Sequence, residues 1–416
     1  MISKVKFLRV GFFAAALLIC CETQDVKEKV VQDKNILPGI DVLMRDQRQL
    51  IEGSRIGLIT NPTGMTRNLQ STIDTLYKHP DVHLVALYGP EHGVRGDVPA
   101  GEYVSSYIDE KTKLPVYSLY GKTRRPTKEM LEKIDVLLFD IQDIGSRAYT
   151  YLYTLAYAME AAAEFGKQFI ILDRPNPLGG TLVEGPVLKE EFSSFIGLYP
   201  IPYVYGMTIG ELARFFNNEY DIQCDLNVVP LENWQRDRRF QETGLTWIPT
   251  SPHVPYAFTP FYVASVGCIG ELGTLNEGVG YTMPFQLIGT AWMDGSLLAD
   301  SLNAKQLPGV FFRPVHYRPF YTDQKNKRLQ GVQLHIIDYD KYRPMLTQIS
   351  ILCTIRKLYP NQEIFASDRI TMFDRAMGTD LVRKKIQNGA DARSILNMFE
   401  DEMHQFMQKR QNYLLY

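Results

Sequence analysis

From Ile36 to about Pro230, short apolar runs alternate with stretches of helical periodicity. Arg55–Asn61, Val82–Tyr88, Leu114–Gly121, Ile134–Asp143 and Gln168–Asp173 are rich in β-branched and aromatic side chains, and each reads as a strand. Ile134–Asp143 (IDVLLFDIQD) is apolar over most of its length, the pattern of a strand covered on both faces. Leu69, Ile73, Leu76 and Tyr77 mark one helical face between the first two strands. A long helix is expected over about Tyr149–Phe165, stopped by Gly166. Thr208 and Glu211 form a T-x-x-E capping box ahead of Ile209, Leu212 and Phe216, which accounts for Glu211. Alternating strands and helices predict an α/β fold built on a Rossmann-like, mostly parallel sheet.

The texture changes after Pro230. Pro, Gly and aromatic residues dominate Trp247–Phe285. Beyond them, Ser296–Asn303 reads as a helix, Gly309–Val315 and Gly331–Ile337 as strands, and Met345, Ile349, Leu352 and Cys353 as a helical face. Ile395, Met398, Phe399, Met403 and Phe406 mark a last long helix. The expected organisation is a Rossmann-like catalytic domain over residues 36–234 and a smaller α+β domain over 235–416. The Gly/Pro-rich stretch is expected to line a cleft shared by the two.

The first 35 residues stand apart from this pattern. Lys4, Lys6 and Arg9 precede the apolar run Val10–Ile19, which has the layout of a secretory signal and is too short to span a bilayer as a mature helix. The run ends in Cys20 and Cys21, and residues 1–21 resemble a signal peptide with a lipobox. Cleavage before Cys21 leaves Cys20 at the position that takes a small residue; cleavage before Cys20 puts Ile19 there. Residues 22–35 are polar and read as a flexible tether. The chain is thus expected in the cell envelope, touching the membrane only through an N-terminal lipid anchor, with plain secretion as the alternative. Cys224, Cys268 and Cys353 lack metal-ligand spacing and read as buried free thiols.

Charge and motifs narrow the chemistry. The net charge of −2 gives no broad cationic face for nucleic acid. Leu178–Gly185 (LGGTLVEG) lacks the G-x-G-x-x-G order, and no phosphate loop occurs, so no nucleotide is expected despite the Rossmann-like pattern. Seven dispersed His give no motif for a metal, and His92 with His253 is too sparse a pair to imply one. No cofactor is expected.

Polar residues gather just past the strands: Asn61, Glu91 with His92, Asp140 to Asp143, and Asp173 to Asn176. In open α/β sheets ligands bind beyond the carboxyl ends of the strands. Glu91 and His92 lie within GPEHG (Gly89–Gly93), where Gly and Pro bend the chain straight after a buried strand. A carboxyl group partly shielded there can hold its proton and act as a general acid; the plainer alternative is that it satisfies backbone donors in a turn. Glycoside hydrolysis needs a second carboxyl, with Asp140 or Asp143 first in line and Glu277 next. Asp140 and Asp143 are otherwise helix caps, and Glu277 otherwise a solvated loop tip. Gln142 is expected to face the same side as Asp140. Arg95, Arg147 and Arg174 are candidates to clamp an anionic group, with ion pairing as the alternative, and Asp173 with Arg174 reads equally as a pair that shapes its turn.

Taken in order, GLITNPTG, GPEHG, FDIQDIGSRAYTY, DRPNPLGG, GMTIGEL, SPHVP and the E-x5-E-G stretch Glu271–Gly278 resemble the NamZ-like exo-β-N-acetylmuramidases. The resemblance runs from about Gly39 to the terminal YLLY. It implies a Rossmann-like domain, a smaller C-terminal domain, and a cleft between them that removes N-acetylmuramic acid from the non-reducing end of peptidoglycan glycans without metal or nucleotide. It places the catalytic acid on Glu91. Tyr205, Val279 and His253 depart from the family's usual His, Arg and Asn, which bears on specificity more than on chemistry. The expected substrate contacts are Asn61, Arg95, Gln142, Arg147, Asp173, Arg174, Asn176, His253 and Glu277, with Arg147 or Arg174 on the lactyl carboxylate. Two rival readings are a non-catalytic glycan-binding lipoprotein and a metal-dependent ester or amide hydrolase.

Overall fold

Seven strands make the larger sheet: β1 (Arg55–Thr60), β2 (His83–Gly89), β3 (Tyr107–Ile108), β4 (Pro115–Ser118), β5 (Val136–Asp140), β6 (Gln168–Leu172) and β7 (Leu226–Val229). They lie in the order β3-β4-β2-β1-β5-β6-β7, and every pairing is parallel except β3 with β4. A computed structural model describes residues 35–416 apart from 100, 104 and 367. The leader expected at 1–21, with Cys20 and Cys21, and the tether up to residue 34 lie outside the described residues.

The apolar run around β5 is explained by burial on both sides. Val136 and Leu138 pack into one cluster with Ile56, Leu58, Ile73 and Leu76, while Leu137 and Phe139 pack into another with the helix Tyr151–Glu164. All four are at most 2% exposed. Side chains of this size each stabilise by about 1.5–3 kcal/mol when buried, so a β5 of alternating polarity would forfeit one face. The capping box at Thr208 forms as expected: the Glu211 backbone N–H reaches the Thr208 hydroxyl, and the Glu211 carboxylate accepts from the Thr208 backbone N–H. Glu211 does more than cap, since its other oxygen pairs with Arg236 and accepts from Leu415 N–H at 2.8 Å.

A smaller antiparallel sheet, in the order β8-β10-β9, is built from β8 (Leu287–Thr290), β9 (Val310–Tyr317) and β10 (Leu329–Ile336). Its core includes the helices Thr259–Gly270 and Pro344–Leu358. Two expectations need correction here. The Gly/Pro-rich stretch hides a whole helix, Thr259–Gly270. The expected last long helix is two, Ala392–Asn397 and Glu400–Arg410, because the chain turns between them to bury Phe399. The second of these returns to the first layer, where Phe406 packs against Phe215, and the Tyr416 hydroxyl bonds to Asp173 at 2.7 Å. Cys224 and Cys268 are buried free thiols; Cys353 is a free thiol only partly buried. No described helix is long and apolar enough to cross a membrane.

Candidate active site

The chain order changes direction between β1 and β5, so the topological switch point lies between their ends. There the protein has filled its own crevice. Phe240, Leu245 and Ile248 close over Thr63, Gln142 and Arg174, leaving about 20 Å³ of free space. The polar residues expected to meet ligand at these strand ends instead hold the turns together. Asn61 accepts from the Thr63 N–H at 3.0 Å and the Thr63 hydroxyl at 2.5 Å. The Gln142 amide donates to the carbonyls of Asp143 and Pro175. Asn176 donates to the Met207 carbonyl and accepts from Leu178 N–H.

Asp140 is wholly buried, with Arg174 bonded to both its oxygens at 2.5 and 2.9 Å and the Thr72 hydroxyl donating at 2.5 Å. This charge-paired carboxylate does not line the open cleft described below. Asp173 pairs with the Thr208 and Tyr416 hydroxyls and the Gly210 N–H rather than with the Arg174 guanidinium, and burial pushes it up to about 6. Asp143 accepts from Gly145 N–H at 2.7 Å and from the Tyr205 hydroxyl, and burial pushes it up to about 6 as well. Tyr205 is thus a partner of a buried acid. Arg95 spends its guanidinium on Asp109.

Arg147 departs furthest from expectation. It is fully buried, and its two terminal nitrogens donate to four carbonyls, those of Pro186, Ile201, Ala376 and Met377, at 2.7–3.1 Å. The last two belong to the C-terminal turn of the helix Ile370–Met377, where the helix dipole favours a cation. Gly378 ends that helix with φ +80°, and a Cβ there would sit 2.4 Å from an Arg147 nitrogen. Gly378→Ala is therefore expected to cost about 2–4 kcal/mol through left-handed strain and displacement of Arg147. A fall in the urea midpoint at unchanged slope would register it.

The open cleft lies one strand over. It has a volume of about 320 Å³ and is lined by Glu91, His92, Tyr120, Ser146, Tyr149, Thr150, Ser251, His253, Cys268, Glu271 and Phe285, among others. β2 delivers Glu91 and His92 through a tight turn in which His92 (φ +70°) and Gly93 (φ +75°) are both left-handed. A buried His in that region is a local strain of the kind that collects at functional sites. The strain is held by a hydrogen bond from His92 Nδ1 to the Val98 carbonyl at 2.7 Å. Each Glu91 carboxylate oxygen accepts one hydrogen bond, Oε1 from Gly101 N–H at 3.1 Å and Oε2 from the Thr150 hydroxyl at 2.8 Å. Burial and the Glu91 charge together raise the neighbouring Tyr120 hydroxyl.

Glu271, assigned no role from sequence beyond the E-x5-E-G stretch, also lines the cleft. It follows the helix Thr259–Gly270, a helix C-terminus where the dipole disfavours a carboxylate. An acid at such a position was the available signal, but the helix itself was not legible. Burial pushes Glu271 up, with Arg369 pulling the other way. Glu277 is absent from the cleft lining, but it interacts with Glu271. Burial takes its carboxyl to about 7, and the Glu271 charge adds to the push. His253 lines the cleft, pairs through Nε2 with the Tyr321 hydroxyl at 2.8 Å, and is held low by burial and by nearby His92. No group of three or more His, Cys, Asp or Glu among the described residues is placed to hold a metal ion.

Known proteins share this architecture. Family models for the exo-β-N-acetylmuramidase NamZ match the chain twice, the N-terminal model over residues 56–257 and the C-terminal one over 262–416. A peptidoglycan β-N-acetylmuramidase NamZ of Bacillus subtilis (strain 168) is 47% identical over 392 residues, 94% of each chain. Two solved DUF1343-family structures from Bacteroides fragilis superpose over 92% of this chain and 99% of their own. Their TM-scores are 0.87 and 0.72, at 46% and 28% identity. The chain belongs to the NamZ exo-β-N-acetylmuramidase family.

Proposed function

We propose that the chain hydrolyses N-acetylmuramic acid (MurNAc) from the non-reducing end of peptidoglycan fragments, with Glu91 and Glu271 as the two carboxyl groups of the reaction. The observation that carries the site assignment is that both line one cleft, Glu91 from the strained turn after β2 and Glu271 from the end of the helix Thr259–Gly270. The volume suits a single small ligand, in keeping with release of one sugar at a time.

In this reading Glu91 gives its proton to the glycosidic oxygen as the bond from that oxygen to the anomeric carbon breaks. Water supplies the hydroxyl that the anomeric carbon gains. Glu271 assists at that carbon, the task first expected of Asp140 or Asp143. His92, pinned to Val98, fixes the turn that aims Glu91. The setting is the cell envelope, a placement that rests on the leader-like residues 1–21.

A second reading exchanges the two roles. Burial raises Glu271, the direction that suits a carboxyl that must hold its proton in order to donate it. The readings part on Glu91→Gln and Glu271→Gln, each assayed on MurNAc-GlcNAc and on a nitrophenyl MurNAc glycoside. Nitrophenolate leaves without a proton, so the variant of the acid keeps most of its rate on that substrate while the variant of its partner loses both. Full rates for both variants on both substrates would reject the pair. Free MurNAc released from MurNAc-GlcNAc separates the enzyme from a glycan-binding lipoprotein. A rate unaffected by EDTA counts against a metal-dependent ester or amide hydrolase.

A further inference from the structure

N-acetylmuramic acid carries a lactyl carboxylate, yet among the described residues the cleft is lined by acids and no Lys or Arg. The arginines that the sequence offered for this anion are already spent: Arg95 on Asp109, Arg174 on Asp140, and Arg147 on four backbone carbonyls. Arg125 pairs with Glu160 and Glu164. Arg369 is exposed, makes no side-chain hydrogen bond or ion pair among the described residues, and acts on Glu271 through its charge.

Arg124 differs in what it rests on. It is exposed, and it makes no side-chain hydrogen bond or ion pair with any of the described residues. Its guanidinium carbon stands 4.1 Å from the Phe195 ring centroid and 5.6 Å from that of Tyr120. Tyr120 lines the cleft beside Glu91, and Ile196, next to Phe195, lines it too. The two ring centroids are 6.0 Å apart, with planes tilted by 45°. Cation–π contact with both rings holds the guanidinium in place while its N–H donors stay open to a ligand. A planar fork of donors with no protein acceptor is what a carboxylate takes up in a bidentate way.

We propose that Arg124, seated on Tyr120 and Phe195, binds the lactyl carboxylate of the muramyl residue and so selects it over plain N-acetylglucosamine. The proposal rests on the muramidase reading for the identity of the anion. Its test is separate from turnover. Calorimetry compares free MurNAc with its methyl ester on wild-type protein, Arg124→Ala and Arg369→Ala. Arg124 is exposed, so its variant keeps the fold. Wild type and Arg369→Ala are expected to bind the acid about 10- to 100-fold more tightly than the ester, and Arg124→Ala to bind both alike. Arg124→Lys, which keeps the charge but loses the fork, is expected to fall between. In hydrolysis of MurNAc-GlcNAc, Arg124→Ala should raise KM by the same factor and leave kcat nearly unchanged. Equal weakening of acid and ester, no weakening of either, or loss of discrimination in Arg369→Ala alone would overturn the assignment. Failure of the wild type to release MurNAc would sink the muramidase reading, while the binding comparison would still decide Arg124.

Discussion

Glu91→Gln is expected to lower kcat on MurNAc-GlcNAc by about 100- to 10,000-fold, the usual worth of a positioned proton donor. The substitution is nearly isosteric. The amide oxygen still accepts one of the two hydrogen bonds, from Gly101 N–H or the Thr150 hydroxyl, and the side chain is only partly buried. Thermal stability should therefore stay close to that of the wild type. A large drop in melting temperature together with lost activity would mean that the carboxylate serves the turn and not the reaction. Thr150→Val gives a graded companion, because it removes a contact to Oε2 without touching the carboxyl group itself.

Asp140→Asn should behave in the opposite way. It leaves the Arg174 cation buried without its charge partner, and breaking one side of such a pair costs about 3–5 kcal/mol. Arg174→Met should cost a similar amount, and the double variant less than the sum, because the two residues share one interaction. The protein that does fold should turn over at nearly the wild-type rate, since Asp140 is absent from the lining of the open cleft. Denaturant unfolding measures the first expectation, and kcat per folded molecule the second. If Asp140→Asn lost turnover as Glu91→Gln does, yet kept its stability, Asp140 would have to be returned to the reaction.

These two variants also mark how far the sequence could be read. The α/β architecture was legible because β1, β2, β5 and β6 are uninterrupted apolar runs, and because Thr208 and Glu211 announce their helix. GPEHG was legible as a candidate site because its Gly and Pro stand straight after such a run. The rule that ligands meet strand ends then chose too widely. It treats the ends of β1, β5 and β6 as equivalent to that of β2, and only coordinates reveal that Phe240, Leu245 and Ile248 occupy the space above them. A plug from more than sixty residues downstream leaves no local trace in Asn61, Gln142 or Asp173. Arg147 misled for a related reason, since its carbonyl partners are as remote in sequence as Met377. Glu271 was hidden because Thr259–Gly270 is apolar on nearly every face and so lacks the periodicity that betrays a helix.

Arg147 has a mechanical consequence. Its neighbours Ser146 and Ala148 line the cleft, as does Ala376, so a single cation bolts two stretches of the wall that are remote in sequence to the same point. Swinging them apart would strip charge-assisted hydrogen bonds from a fully buried guanidinium, a barrier far above that of an ordinary hinge. The glycan end should accordingly enter a mouth already at its working width, and sugar departure should keep pace with bond cleavage instead of waiting on a gate.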